Sequence, residues 1–107
     1  MFYTHYSSKY PGVEVMGRLP QHQALFVISV AAELTGCHPR TLRLYEEYGF
    51  ISPLRTPGNT RLYSKKDIDT VRKIRHYTQV KGVNLAGVRI ILEMERRLSL
   101  MEKDQEE

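Results

Sequence analysis

Arg40, Thr41 and Arg43 crowd into the helical turn that follows Pro39, and Arg55, Asn59, Arg61 and Tyr63 follow in the loop-rich stretch behind it. These groups form no recognisable nucleophilic grouping. They donate hydrogen bonds in fixed directions and carry charge. An arginine fork can bond both acceptors on the edge of a guanine. Arginine, hydroxyl and amide groups bind phosphate oxygens and so fix register. Ser29 and His38, at the heads of two short helical patterns, and Tyr45 belong to the same set. The chemistry on offer is noncovalent reading of a nucleic acid.

Such a set is useful only if elements hold it. Ser29 is a good N-cap for a first helix through Val30, Ala31, Leu34 and Thr35, and Gly36 suits its left-handed exit. Pro39 opens a second helix, where a missing amide hydrogen costs nothing. Leu42 and Tyr45 are its inward pair, and Gly49 ends it. Arg40 and Thr41 then stand in its first turn, where the second helix of a helix-turn-helix meets base edges. Phe50–Leu54 and Arg61–Tyr63 are short β-capable runs flanking Pro57-Gly58-Asn59, which forms turns. They predict a two-stranded hairpin, a wing. A hairpin is marginal alone, so Ile51, Leu54 and Leu62 are expected to seat it on the helices. Leu25–Val27 forms a short strand or leads into the first helix.

Ser64, with Asp67 three residues on, caps a third helix carrying Ile68, Val71, Ile74 and Tyr77/Thr78 inward, and Gly82 ends it. Asn84 caps a fourth, with Leu85, Val88, Ile91, Leu92 and Leu98 on one side. The fold class is therefore mainly α: a winged helix-turn-helix of about four helices and a two-stranded wing. Residues 1–24 read as an extended or partly disordered arm, 25–98 as the folded domain, and 99–107 as an acidic helix end or tail.

The charge distribution agrees. The 107 residues carry a formal net charge of +4. Residues 38–81 hold ten lysines and arginines against four acids, whereas residues 93–107 hold three against six. Positive charge gathered on one segment is what a phosphate-binding surface needs. A lone cysteine, Cys37, excludes an intrachain disulfide and fits a reducing compartment. No apolar run approaches a membrane span, and the N-terminus lacks the pattern of a signal peptide. A cytoplasmic protein is expected. Cys37 lacks the thiolate or imidazole companions of a soft-metal site. His5, His22, His38 and His76 show no metal spacing, and neither a nucleophilic grouping nor a nucleotide loop is present. Neither enzyme nor cofactor is expected.

The run Arg40-Thr41-Leu42-Arg43-Leu44-Tyr45-Glu46, then Gly49, Pro53 and Arg55, then Arg61-Leu62-Tyr63, resembles the MerR family of transcription regulators. Ile28–Leu34 and Gly82–Val88 look most like the HspR-type heat-shock repressors within it. The resemblance covers roughly residues 25–98. It implies a winged-helix repressor of heat-shock genes that binds an inverted repeat in double-stranded DNA as a homodimer, with the DnaK chaperone as co-repressor. It also implies that Arg61 and Tyr63 hold phosphates, and it places the protein at the nucleoid. His38 stands where the family often has Ser or Thr, so its cap is expected to be weaker or ring-mediated. The family usually continues into a long helix that pairs across a dimer, and here only residues 92–107 and the arm are available for that.

Blander readings stand beside these. Arg40 and Thr41 could face solvent, Tyr45 could be a packed core ring, and Arg61 could lie on an aromatic face. The tyrosines at positions 3, 6 and 10 could stack on a partner. Two other functions fit the same pattern: a helical adaptor for a chaperone or polymerase, and an excisionase-like protein that bends DNA.

Overall fold

The computed structural model describes residues 5–6, 14–15 and 24–106. In the arm, β1 (His5–Tyr6) and β2 (Glu14–Val15) pair antiparallel. Tyr3 and Tyr10 lie outside the described residues, as does most of the arm. Next come β3 (Leu25–Val27), α1 (Ile28–Thr35), α2 (Pro39–Glu47), β4 (Leu54–Arg55), β5 (Arg61–Ser64), α3 (Lys65–Arg75), a π-helical turn (His76–Val80) and α4 (Leu85–Glu106). The chain forms two compact units, Met1–Val71 and Arg72–Glu107.

The first unit is organised by β5. It is the middle strand of three, with β3 on one side and β4 on the other, both antiparallel. The expected two-stranded wing is the β4–β5 hairpin, and β3 adds a third strand to its sheet. Pairing on both edges satisfies the backbone of β5, and Leu62 and Tyr63 are 1% and 0% exposed. Leu25, Ala31, Leu42 and Ile51 are buried in the same unit. Leu54 is not, at 42% exposed. It lies on an outer strand, so Ile51 and Leu62 do the seating without it.

Most helix ends follow the sequence signals. Gly36 closes α1 with φ 71°, and Pro39 opens α2. The start of α1 does not follow them. Its cap is Val27, with no side-chain hydrogen bond, and Ser29 is already inside the first turn. Strand β3 runs straight into the helix, so the chain enters it two residues earlier than the serine suggests. The third helix has the reciprocal cap that Ser64 and Asp67 promise. The Ser64 amide donates to Asp67 Oδ2 at 3.0 Å, and the Asp67 amide donates to Ser64 Oγ at 3.1 Å.

In the second unit, α3 ends in the π-helical turn, which the apolar period does not announce. Tyr77 and Thr78 are half-buried there. Tyr77 Oη donates to Glu95 Oε2 at 3.1 Å, and Lys73 Nζ lies 3.4 Å from Glu95 Oε1. Asn84 caps α4 by accepting from the Gly87 amide at 2.8 Å. Val88 is fully buried and Leu85, Ile91 and Leu92 are half-buried. Leu98, on the same side of the helix, is 57% exposed, and Ile90, Met94, Leu100 and Met101 are exposed with it. The helix continues well past residue 98, so its far half projects apolar side chains that a single short chain leaves uncovered.

The cap at α3 is testable by itself. Ser64→Ala removes one of the two reciprocal bonds and should destabilise the chain by roughly 0.5–2 kcal/mol. Urea unfolding measures this, and an unchanged midpoint would mean the bond contributes nothing.

Candidate nucleic-acid interface

The residues singled out in the sequence all fall in the first unit. Arg40 and Arg43 are exposed on α2, and Thr41 is half-buried beside them. Their helix is held at its head by a histidine. His38 Nδ1 accepts from the Arg40 amide at 3.0 Å, and the Thr41 amide donates to the His38 carbonyl at 2.8 Å. The ring therefore does what a serine or threonine side chain does at such a position. Behind the helix, Tyr45 is 6% exposed and meets the Phe50 ring edge-on, with centroids 6.1 Å apart. Its ring is part of the core.

The wing tip is shaped by its asparagine. Asn59, not Gly58, takes the left-handed conformation, with φ 67°. Asparagine tolerates that region better than most residues. The Thr56 amide donates to the Thr60 carbonyl at 3.0 Å and closes the loop. Asn59 Oδ1 then accepts from Arg55 Nη1 at 3.0 Å.

Arg55 and Arg61 converge on one carboxylate. Arg55 Nη2 donates to Glu46 Oε2 at 3.0 Å, and Arg61 Nε donates to Glu46 Oε1 at 2.7 Å. Both oxygens of Glu46 are thus engaged, one by each strand of the wing. Burial pushes the Glu46 carboxyl up, but the hydrogen bonds and charges of Arg61 and Arg55 outweigh this and hold it below its ordinary value. The same bond raises Arg61. The arginine thus lies on a carboxylate, not on an aromatic face. Glu46 carries the junction and was not singled out from the sequence, although it sits inside the motif that carries the resemblance, next to Tyr45. Its signal is an acid on the last turn of α2 facing two later arginines.

Tyr63 is wholly inside. It is fully buried, and its hydroxyl oxygen has no hydrogen-bond partner among the described residues. Burial raises its pKa, and the charges that act on it are Arg61, Glu46, Arg43 and Arg55. A hydroxyl left unpaired beside three guanidiniums is unusual, because a buried polar group without a partner costs stability. Ser29 stands exposed on α1. The structure thus gathers Arg43, Arg55, Arg61 and the Tyr63 hydroxyl into one electrostatic neighbourhood, with Arg40 and Thr41 on the first turn of the adjoining helix. Among the described residues, no three His, Cys, Asp or Glu side chains form a group that could hold a metal ion. No described helix is long and apolar enough to cross a membrane.

Comparison with known proteins places this geometry. A family model described as the MerR HTH family regulatory protein matches residues 26–95. A protein assigned as heat shock protein HspR in Streptomyces coelicolor is 44% identical over 81 residues, which is 76% of this chain and 54% of that one. The transcriptional regulator GlnR of Bacillus cereus is 37% identical over 83 residues, 78% of this chain and 64% of that one. The chain therefore spans a little over half to just under two thirds of these relatives. Among solved structures, a MerR-family transcriptional regulator from Bacillus cereus superposes with a TM-score of 0.58 at 25% identity, covering 77% of this chain and 72% of that one. HiNmlR, described as a MerR family regulator lacking the sensor domain and bound to promoter DNA, has the same fold, with a TM-score of 0.58 at 24% identity over 78% of this chain and 69% of that one. The family match covers most of the folded residues and the HspR relative shares their sequence, so this chain belongs to the MerR family of helix-turn-helix regulatory proteins, a family of transcription regulators and not of enzymes.

Proposed function

We propose that the chain is a sequence-specific DNA-binding transcription repressor, acting in the cytoplasm at the nucleoid, whose targets are heat-shock or chaperone genes. The observation that carries the DNA reading is the join between α2 and the wing. Exposed Arg40 and Arg43 lie on one side of it, and Arg55 and Arg61 are held on the other by Glu46. Arg40 and Thr41 read base edges from the first turn of α2. Arg43, Arg55, Arg61 and the tip residue Asn59 hold phosphates, and His38 and Ser29 lie at the edge of that surface. Tyr45 supports the helix from within. Tyr63 offers its unpaired hydroxyl to a phosphate oxygen once the side chains over it shift. The heat-shock assignment rests on the 44% identity to the HspR relative.

Two copies acting on an inverted repeat are part of the proposal. Ile91, Met94, Leu98 and Met101 recur on α4 at the three-and-four spacing of a heptad seam. All but Ile91 are exposed. A second copy of the chain is the partner this spacing fits best. The DnaK chaperone, as co-repressor, is the proposed sensor.

Binding should weaken steeply with salt. Each neutralised phosphate contributes about 0.9 to the negative log–log slope, so a dimer using Arg61 and one further cation per chain should show a slope of at least about −4. A flat response would remove the DNA reading. Arg40→Ala should cost roughly 1–3 kcal/mol on the selected site and relax preference at one base pair per half-site. Arg61→Ala should weaken binding without relaxing preference at any one base pair, and reduce the slope by about 1 per site. Equal losses by both variants on selected and random DNA would show that the division into base and phosphate readers is wrong.

Tyr63→Phe separates stability from function. Removing a buried, unpaired hydroxyl should leave the free chain as stable or stabilise it by up to about 1–3 kcal/mol. The same change should weaken DNA binding. A variant that binds DNA as the parent does would take Tyr63 out of the interface.

The partners are tested together. DNA binding is measured with and without purified DnaK, on the full chain and on a chain ending at Arg97. DnaK should strengthen binding by the full chain, and no effect on either chain would end the co-repressor idea. The shortened chain should sediment as a monomer and lose DNA binding, whereas an intact dimer would place the seam elsewhere.

A further inference from the structure

Glu46 is an acid set among the cations that a phosphate would need. It faces the wing from the last turn of α2, with its side chain 21% exposed. Arg55 is held at both terminal nitrogens, one by Glu46 Oε2 and one by Asn59 Oδ1. Arg61 is held at Nε by Glu46 Oε1. Two guanidiniums are therefore partly neutralised and fixed in angle relative to the helix that carries Arg40 and Thr41. For stability alone this is a poor arrangement. A partly exposed ion pair is worth about 0–1 kcal/mol, and an acid at a phosphate-binding surface repels the ligand.

Orientation gives the arrangement a purpose. A loose arginine reaches whatever phosphate is nearest and so strengthens binding to any sequence. An arginine held at fixed angle meets a phosphate well only when the duplex lies in one frame. We propose that Glu46 is a positioning residue that sets specificity: it ties the wing arginines to α2, so that they engage phosphates fully only when α2 is seated on its bases. The idea rests on the DNA-binding reading above and deepens it. Glu47, next in sequence, is exposed, acts on Arg61 only through charge, and makes no ion pair among the described residues. It is the natural control.

The experiment uses the full chain and two duplexes: the tightest site recovered by selection from random sequence, and a scrambled duplex of equal length and composition. Glu46→Gln, Glu46→Asp and Glu47→Gln are compared with the parent for affinity, salt slope and thermal melting. Glu46→Asp keeps the charge but is one methylene too short to bridge both strands. Glu46→Gln and Glu46→Asp should each bind the scrambled duplex more tightly, with a slope steeper by about 1 per chain as an arginine is freed for phosphate. The ratio of selected to scrambled affinity should fall by roughly tenfold, the size of a lost geometric constraint of about 1.4 kcal/mol. Glu47→Gln should shift both duplexes equally and leave the ratio unchanged. If the two Glu46 variants weaken both duplexes in parallel with an unchanged slope, or lose cooperative melting, Glu46 is a structural brace and the proposal is overturned. If Glu46→Gln matches Glu47→Gln, only charge matters, and the proposal is overturned again. A parent chain that binds neither duplex would instead defeat the DNA-binding reading on which this one rests.

Discussion

The contact between one carboxylate of α2 and a guanidinium from each wing strand joins the two halves of the candidate interface. A helix-turn-helix can be built without a wing, and a hairpin of so few residues cannot stand alone. Hydrophobic burial and ion pairing divide the work of combining them. Burial of Leu62 alone, at 1% exposed, is worth roughly 1.5–3 kcal/mol. The half-exposed ion pairs are worth about 0–1 kcal/mol each. Burial therefore anchors β5, and the ion pairs decide where the arginine heads of the wing point. A surface that must match both base edges and phosphates needs the second as much as the first.

The central place of β5 explains why the polar groups sit where they do. Its two edges are taken by β3 and β4, so its backbone is satisfied, and its middle side chains, on opposite faces, are both buried. Tyr63 consequently brings a hydroxyl into the interior near the charges of Arg61, Arg43 and Arg55, with no hydrogen-bond partner among the described residues. Natural interiors rarely leave such a group unpaired unless it has another use. The neighbouring positive charges suit the phosphate oxygen proposed as its partner.

Much of this was legible in the residues. Capping and glycine signals located the turn at Gly36 and both ends of α2, because those signals are local: a positive φ, a missing amide hydrogen, a nearby side-chain acceptor. The choice of Leu42 and Tyr45 as the inward pair follows from helical period alone. What was missed depends on tertiary contact. Ser29 looks like a cap, but β3 is drawn onto β5 and the helix begins earlier. Pro57-Gly58-Asn59 marks the turn of the wing, but which of the three takes the left-handed conformation, Asn59, with a bond to Arg55, is seen only in the structure. The outward turn of Leu54 follows from its place on an outer strand, which no local pattern encodes. Glu46 was in plain view within the motif, but its partners lie nine and fifteen residues away, beyond any helical spacing.

The same distinction bears on α4. Its apolar residues satisfy a helical period as far as Leu98 and beyond, more of them than one small core can use. The structure buries Val88 and leaves Met94, Leu98 and Met101 in the open. Periodicity reports that a face is apolar. It does not report whether the covering surface belongs to the same molecule. A run at heptad spacing that continues after intramolecular burial has ended suits the proposed seam with a second copy. The candidate DNA interface and the proposed dimer seam thus differ in kind. The first is complete within one fold, held by charge and hydrogen bonds at fixed angles. The second is an unfinished apolar face, and the spacing between two DNA-reading heads would be set by the way a second copy finishes it.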